Sequence, residues 1–228
     1  MKNRRFLLLC SFLSNMLIFV MAAAAVGRSY KAHASGALSS SGVTTFRYFT
    51  TDSNILAGAF ALIAGVFGLF ALLKKRDRIP EAAVLLKYIG TCAVSLTFTV
   101  VIVFLGPIYG YGSMYTGASF YMHGIVPMLS MISFIAFDRG YRLPKSRVLF
   151  GLIPTVIYGT VYFTMVVLIG KEKGGWPDFY AFTRGGFWWL SLILCFGGSA
   201  VLCILLRLLH NRCEKRPGEG EKLNEKGK

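Results

Sequence analysis

The sequence predicts an all-α polytopic membrane protein: a bundle of six transmembrane helices with both termini cytoplasmic. Three observations predict it. Of the 228 residues, 55% are hydrophobic and only 15% charged, against roughly 25% charged in an average soluble domain. The fifty residues from Tyr88 to Phe137 contain no Asp, Glu, Lys or Arg. A water-soluble fold of this size cannot hide that stretch, whereas a spanning helix needs about 20 apolar residues. The Lys and Arg residues, which bring the net charge to +15, stand in short blocks between apolar runs. That is the topology signal of a membrane protein, not the clustered footprint of a nucleic-acid binder.

The apolar runs are Phe6–Gly27, Phe46–Leu73, Ala82–Leu105, Phe120–Phe137, Val148–Gly170 and Gly186–Leu209. The first follows Lys2, Arg4 and Arg5 and resembles a signal peptide, but its apolar stretch exceeds the ~7–15 residues of a signal core and reads as a span. With six spans, eighteen Lys and Arg fall on the side of the chain ends and six on the other: Arg28, Lys31, Arg47, Lys171, Lys173 and Arg184. The asymmetry puts both termini in the cytoplasm. Lys87 lies near the inner end of the third span, where its stem can snorkel. Residues 1–210 form one transmembrane domain. The tail 211–228, rich in Lys, Glu and Gly, has little to bury and reads as disordered and cytoplasmic. The expected location is the plasma membrane, and the run Ser39–Gly42 reads as a flexible outer loop.

Polar side chains turn away from lipid, so their spacing marks each helix's inner face. On the second span Arg47, Thr50, Thr51, Asn54, Gly58, Ala61 and Gly65 fall on one stripe at 100° per residue. It begins polar at the outer end and becomes small further in, where close helix packing is expected. Tyr88, Thr91, Cys92, Ser95 and Thr99 repeat the pattern on the third span. His123, Pro127 and Ser130 do so on the fourth, and Gly151, Thr155, Tyr158, Gly159 and Tyr162 on the fifth. Packing glue or bonds to a helix's own carbonyls explain such stripes equally well.

Asp52 lies near the outer end of the second span. It reads as an interfacial carboxylate paired with Arg47 or Arg184, or as an orienter or proton acceptor. Thr50 and His123 come out at similar depth, because the second and fourth spans both run inward. A hydroxyl and an imidazole are the minimum for nucleophilic attack with a general base. The outer loop Lys171–Arg184 holds Trp176, Phe179, Tyr180 and Phe182, which suit the headgroup region or cover a site from above.

The run Phe46-Arg47-Tyr48-Phe49-Thr50-Thr51-Asp52-Ser53-Asn54 resembles the second-span opening of the androgen-induced and androgen-dependent TFPI-regulating protein family, above all its six-span bacterial members of unassigned function. His123-Gly124-Ile125-Val126-Pro127 and the loop Gly175-Trp176-Pro177 extend the resemblance across most of Phe46 to Leu209. It implies an intramembrane threonine hydrolase of fatty-acyl esters, as in the family's animal members, with Thr50 as nucleophile and His123 as base. Thr51 adjoins Thr50 and competes for the role. Asn54, one turn below, or Arg47 would then donate to the oxyanion.

No GxSxG elbow, phosphate-binding glycine loop or metal-ligand cluster occurs, so no cofactor or metal is expected. The expected partners are the lipid bilayer and a lipid ester substrate, with no nucleic acid. Two other readings stand beside the hydrolase: a small-solute transporter whose polar stripes line a pathway, and a non-catalytic membrane scaffold.

Overall fold

A computed structural model describes residues 2–32, 41–76 and 78–214. Among them, six helices are long and apolar enough to cross a membrane. They are α1 (Arg4–Lys31), α2 (Phe49–Leu73), α3 (Glu81–Tyr109), α4 (Gly117–Ala136), α5 (Lys145–Ile169) and α6 (Trp188–Cys213). The tail from 215 on and residues 39–40 of the Ser39–Gly42 run lie outside the described residues; Ser41 caps a short 3₁₀ turn, Gly42–Arg47.

The helices form because nearly every position is apolar, and a chain in lipid must satisfy its backbone within the helix. Large apolar side chains stand exposed along every span, as a lipid-facing surface requires. The first four helices make the tight part of the bundle. Small residues let them approach: a Cβ on Gly58 would sit 3.0 Å from Ala22, and one on Gly90 would sit 3.0 Å from the Ala57 backbone. The small half of the α2 stripe is therefore a packing surface, as its spacing predicts. Helices α5 and α6 lean on α3 at the periphery and expose more of their length.

Boundaries shift by a few residues at each span, and three of the shifts are informative. α2 starts at Phe49, so Phe46 and Arg47 belong to the preceding 3₁₀ turn and Arg47 is exposed rather than part of the α2 stripe. α3 continues past Leu105 to Tyr109, because Pro107 falls where the helix has already widened into a π-turn. α6 runs beyond Leu209 to Cys213, held by Asn211, whose side chain pairs with both backbone groups of Leu143 at 2.9 and 2.8 Å.

Two π-turns share one construction. Val101–Leu105 and Tyr121–Ile125 are each followed, two residues on, by proline. In the second, the Val126 N–H bonds Tyr121 O instead of Met122 O. Pro127, which would serve Met122 next, has no N–H. The Met122 carbonyl is left for a side chain, and Asn54 Nδ2 takes it at 3.1 Å. In the first, the Gly106 N–H bonds Val101 O, Pro107 has nothing to give, and the Tyr111 hydroxyl bonds Ile102 O at 2.8 Å. Gly106 is required there, since a Cβ would collide with the Tyr111 ring.

A candidate hydroxyl–imidazole site beside an apolar cavity

Thr50 sits in the first turn of α2 and His123 in the π-turn of α4, both buried. Their depths match as the topology requires, and the side chains meet: Thr50 Oγ1 lies 3.3 Å from His123 Nε2. The other ring nitrogen, Nδ1, is 2.7 Å from the Met114 carbonyl. A carbonyl only accepts, so Nδ1 carries the proton. In the neutral ring Nε2 then offers its lone pair, and the Thr50 hydroxyl donates to it. The Met114 carbonyl fixes the tautomer, the task a carboxylate performs in other hydroxyl–imidazole pairs.

Asn54 holds the two helices in this register. Its amide donates to Thr50 O at 2.7 Å and to Met122 O at 3.1 Å. Both N–H groups are thereby spent on carbonyls, which corrects the expectation that Asn54 serves an oxyanion. Arg47 is no better placed: its guanidinium lies over the Trp176 ring at 6.0 Å. Thr51 is buried but does not line the cavity beside Thr50. Asp52 is half-buried, and among the described residues no ion pair joins it to Arg47 or Arg184. The one ion pair found there is Arg147–Glu81, at 3.1 Å.

Thr50 forms part of the wall of a cavity of about 320 Å³, within the ~300–1,000 Å³ of ligand pockets. The cavity lies in the outer half of the bundle between α3, α5 and α6. Its lining is almost wholly apolar, with Leu96, Val100, Leu105, Leu192 and Leu202 among its walls. Val103 and Leu194 also line it and are 70% and 63% exposed. The cavity thus opens sideways, between α3 and α6, toward the lipid. His123 stands behind Thr50 and outside the lining.

Tyr180 is one of the loop aromatics that the sequence places in the headgroup region or over a site. It comes from the outer loop, lines the cavity and brings its hydroxyl to the start of α2. There it accepts the Phe49 N–H at 2.9 Å, on the same cavity wall as Thr50. Burial pushes the Tyr180 phenol well above its ordinary range, so it keeps its proton. A knot around Asp178 aims it. The Asp178 carboxylate accepts the Phe182 N–H at 2.8 Å, the Thr183 N–H and hydroxyl at 2.7 Å each, and the Tyr162 hydroxyl at 2.9 Å. Tyr162 accepts the Tyr180 N–H at 3.1 Å. Burial raises the affinity of the Asp178 carboxyl for a proton, but these donors outweigh it and hold the group below the usual carboxylate range. The only sequence signal for Tyr180 is the Asp-x-x-x-Phe-Thr spacing that lets Asp178 gather the loop's own N–H groups.

The remaining stripes divide. Ser95 and Thr99 bond their own helix carbonyls at 2.7 and 2.9 Å, the glue reading. Tyr158 and Tyr162 line the cavity, and Thr155 pairs with Ser199 of α6 at 3.0 Å. Among the described residues no three His, Cys, Asp or Glu gather as a metal site.

The fold and this site define an integral, multi-pass membrane protein carrying a buried Thr–His pair, its hydroxyl on the wall of an apolar cavity. No family profile, curated protein or solved structure matches the chain.

Proposed function

We propose that the protein is an intramembrane hydrolase of fatty-acyl esters, with Thr50 as nucleophile and His123 as general base. The observation that carries this reading is the oriented pair: a hydroxyl aimed at an imidazole lone pair, with the hydroxyl on the wall of an apolar chamber open to the bilayer. An ester enters sideways, its chain solvated by the cavity. Thr50 Oγ attacks the acyl carbon as His123 Nε2 takes its proton. The carbonyl becomes an oxyanion, with the Tyr180 hydroxyl as donor. Collapse expels the alcohol, which receives the proton from His123. Water, deprotonated by the same nitrogen, then attacks the acyl-threonine; the acid leaves and His123 returns the proton to Thr50 Oγ. The resemblance to the androgen-induced family belongs to this proposal, as does a plasma-membrane setting with the site near the outer face.

A fluorophosphonate probe tests it. Purified protein in detergent is expected to carry one adduct, on Thr50. The adduct is lost in Thr50→Ala and falls ~10²–10⁴-fold in rate in His123→Gln, while Thr51→Ala retains it. A well-folded protein that takes no adduct would turn the reading to a transporter or scaffold.

A further inference from the structure

A second polar cluster lies in the inner half of the bundle, where α1, α3 and α4 meet. Asp138, just past α4, is fully buried. It accepts Ser11 Oγ at 2.6 Å, Asn15 Nδ2 at 2.7 Å and Ser133 Oγ at 3.1 Å. Lys87 of α3 is 1% exposed, and the Tyr88 ring beside it packs on Phe134 of α4 at 5.7 Å. No ion pair within 4.0 Å joins Lys87 to Asp138. Among the described residues Lys87 Nζ has no hydrogen-bond partner, and neither do Asn15 Oδ1, Thr91 Oγ1 or Ser130 Oγ. Thr91 and Ser130 each stand one turn from the packed Tyr88 and Phe134 rings, on facing sides of α3 and α4. Asn15 already bonds Asp138, Thr91 is one turn from Lys87, and Ser130 is one turn from Ser133.

Buried polar atoms are nearly always paired, and an ionisable residue inside a membrane needs a partner. The orphans here are complementary. Lys87 has only donors, Asn15 Oδ1 only accepts, and the two hydroxyls do either. The ammonium repels a cation and the carboxylate repels an anion, so a neutral ligand that donates and accepts is what fits. We propose that Lys87, Asn15, Thr91 and Ser130 enclose an internal water site that bridges the Lys87 ammonium to the Asp138 network. Water accepts from Nζ and donates to Asn15 Oδ1, leaving the hydroxyls to complete its shell. The site keeps a cation solvated within the membrane and ties three helices together. It is separate from the Thr50–His123 pair, because the buried apolar residues Ile18, Ala61 and Val126 pack between the two levels.

Near-isosteric variants give results of opposite sign. Thr91→Val and Ser130→Ala each delete one hydroxyl from the full-length protein in detergent. If the hydroxyls bond water, each variant loses a hydrogen bond and Tm falls by about 2–4 °C. If they are true orphans, the apolar replacement removes a buried unsatisfied atom. An unchanged or raised Tm in either variant overturns the site.

Discussion

Thr50 and His123 were legible as a pair of depths, because charge blocks fix the direction of each span and counting residues from the ends does the rest. Their contact was not legible, since nothing in one sequence says which helices are neighbours. Asn54 was misread for a specific reason. A side-chain amide near a nucleophile looks like an oxyanion donor until its N–H groups are accounted for, and one of them serves a carbonyl that only a π-turn followed by proline leaves free. Tyr180 was legible only as one of four loop aromatics that anchor in the headgroups or cover a site, because nothing in the sequence sets its hydroxyl apart from the neighbouring rings. It also supplies the sharpest test at this scale. Tyr180→Phe keeps the ring and removes the hydroxyl. The expected result is a fall in kcat of about 10²–10³-fold, the usual loss for one oxyanion donor, with KM nearly unchanged and Tm lowered by a few degrees because the Phe49 N–H loses its acceptor.

The π-turn of α4 belongs to the element scale, where proline acts through the hydrogen bond it cannot make. Restoring the N–H with Pro127→Ala gives the Met122 carbonyl a backbone partner and frees Asn54. The helix then has no reason to stay wide, and a regular α-turn would rotate His123 relative to Val126. Turnover and Thr50 labelling are expected to fall while the melting temperature holds or rises, which separates this variant from one that simply unfolds. The outer loop makes a second prediction. A carboxyl held below its ordinary value stabilises the fold at all pH above the unfolded value of 3.8, and that contribution disappears as pH falls through the lower folded value. Wild-type activity is therefore expected not to vary with the titration of Asp178 near neutral pH and to collapse in acid. Asp178→Asn, which loses the charge-assisted bonds at every pH, is expected to weaken activity and to shift Trp176 fluorescence already at pH 7. The sequence showed neither element, because hydropathy treats a π-turn and an α-turn alike and carries no record of which N–H groups a carboxylate collects.

For the whole molecule, six spans, their order and the common side of both ends were legible, since lipid as a solvent leaves a hydrophobic chain few choices. The division into a tight set of four helices and two that lean outward was not, although the glycines and alanines of α2 pointed to its close packing. That division creates the cavity, and its size is open to test. Gly159 lines it, and a Cβ there would lie 3.0 Å from Phe196. Gly159→Leu is expected to shift ester hydrolysis toward shorter acyl chains while the fluorophosphonate still labels Thr50. Equal loss at every chain length would show that the cavity does not hold the chain.

The sideways mouth past Val103 and Leu194 also changes what concentration means for this protein. A substrate that arrives from the hydrocarbon layer is counted per lipid, not per litre. Turnover in vesicles is then expected to follow the mole fraction of ester in the bilayer and to stay constant when vesicles of fixed composition are diluted with buffer. Adding inert phospholipid or detergent would slow it without occupying the site.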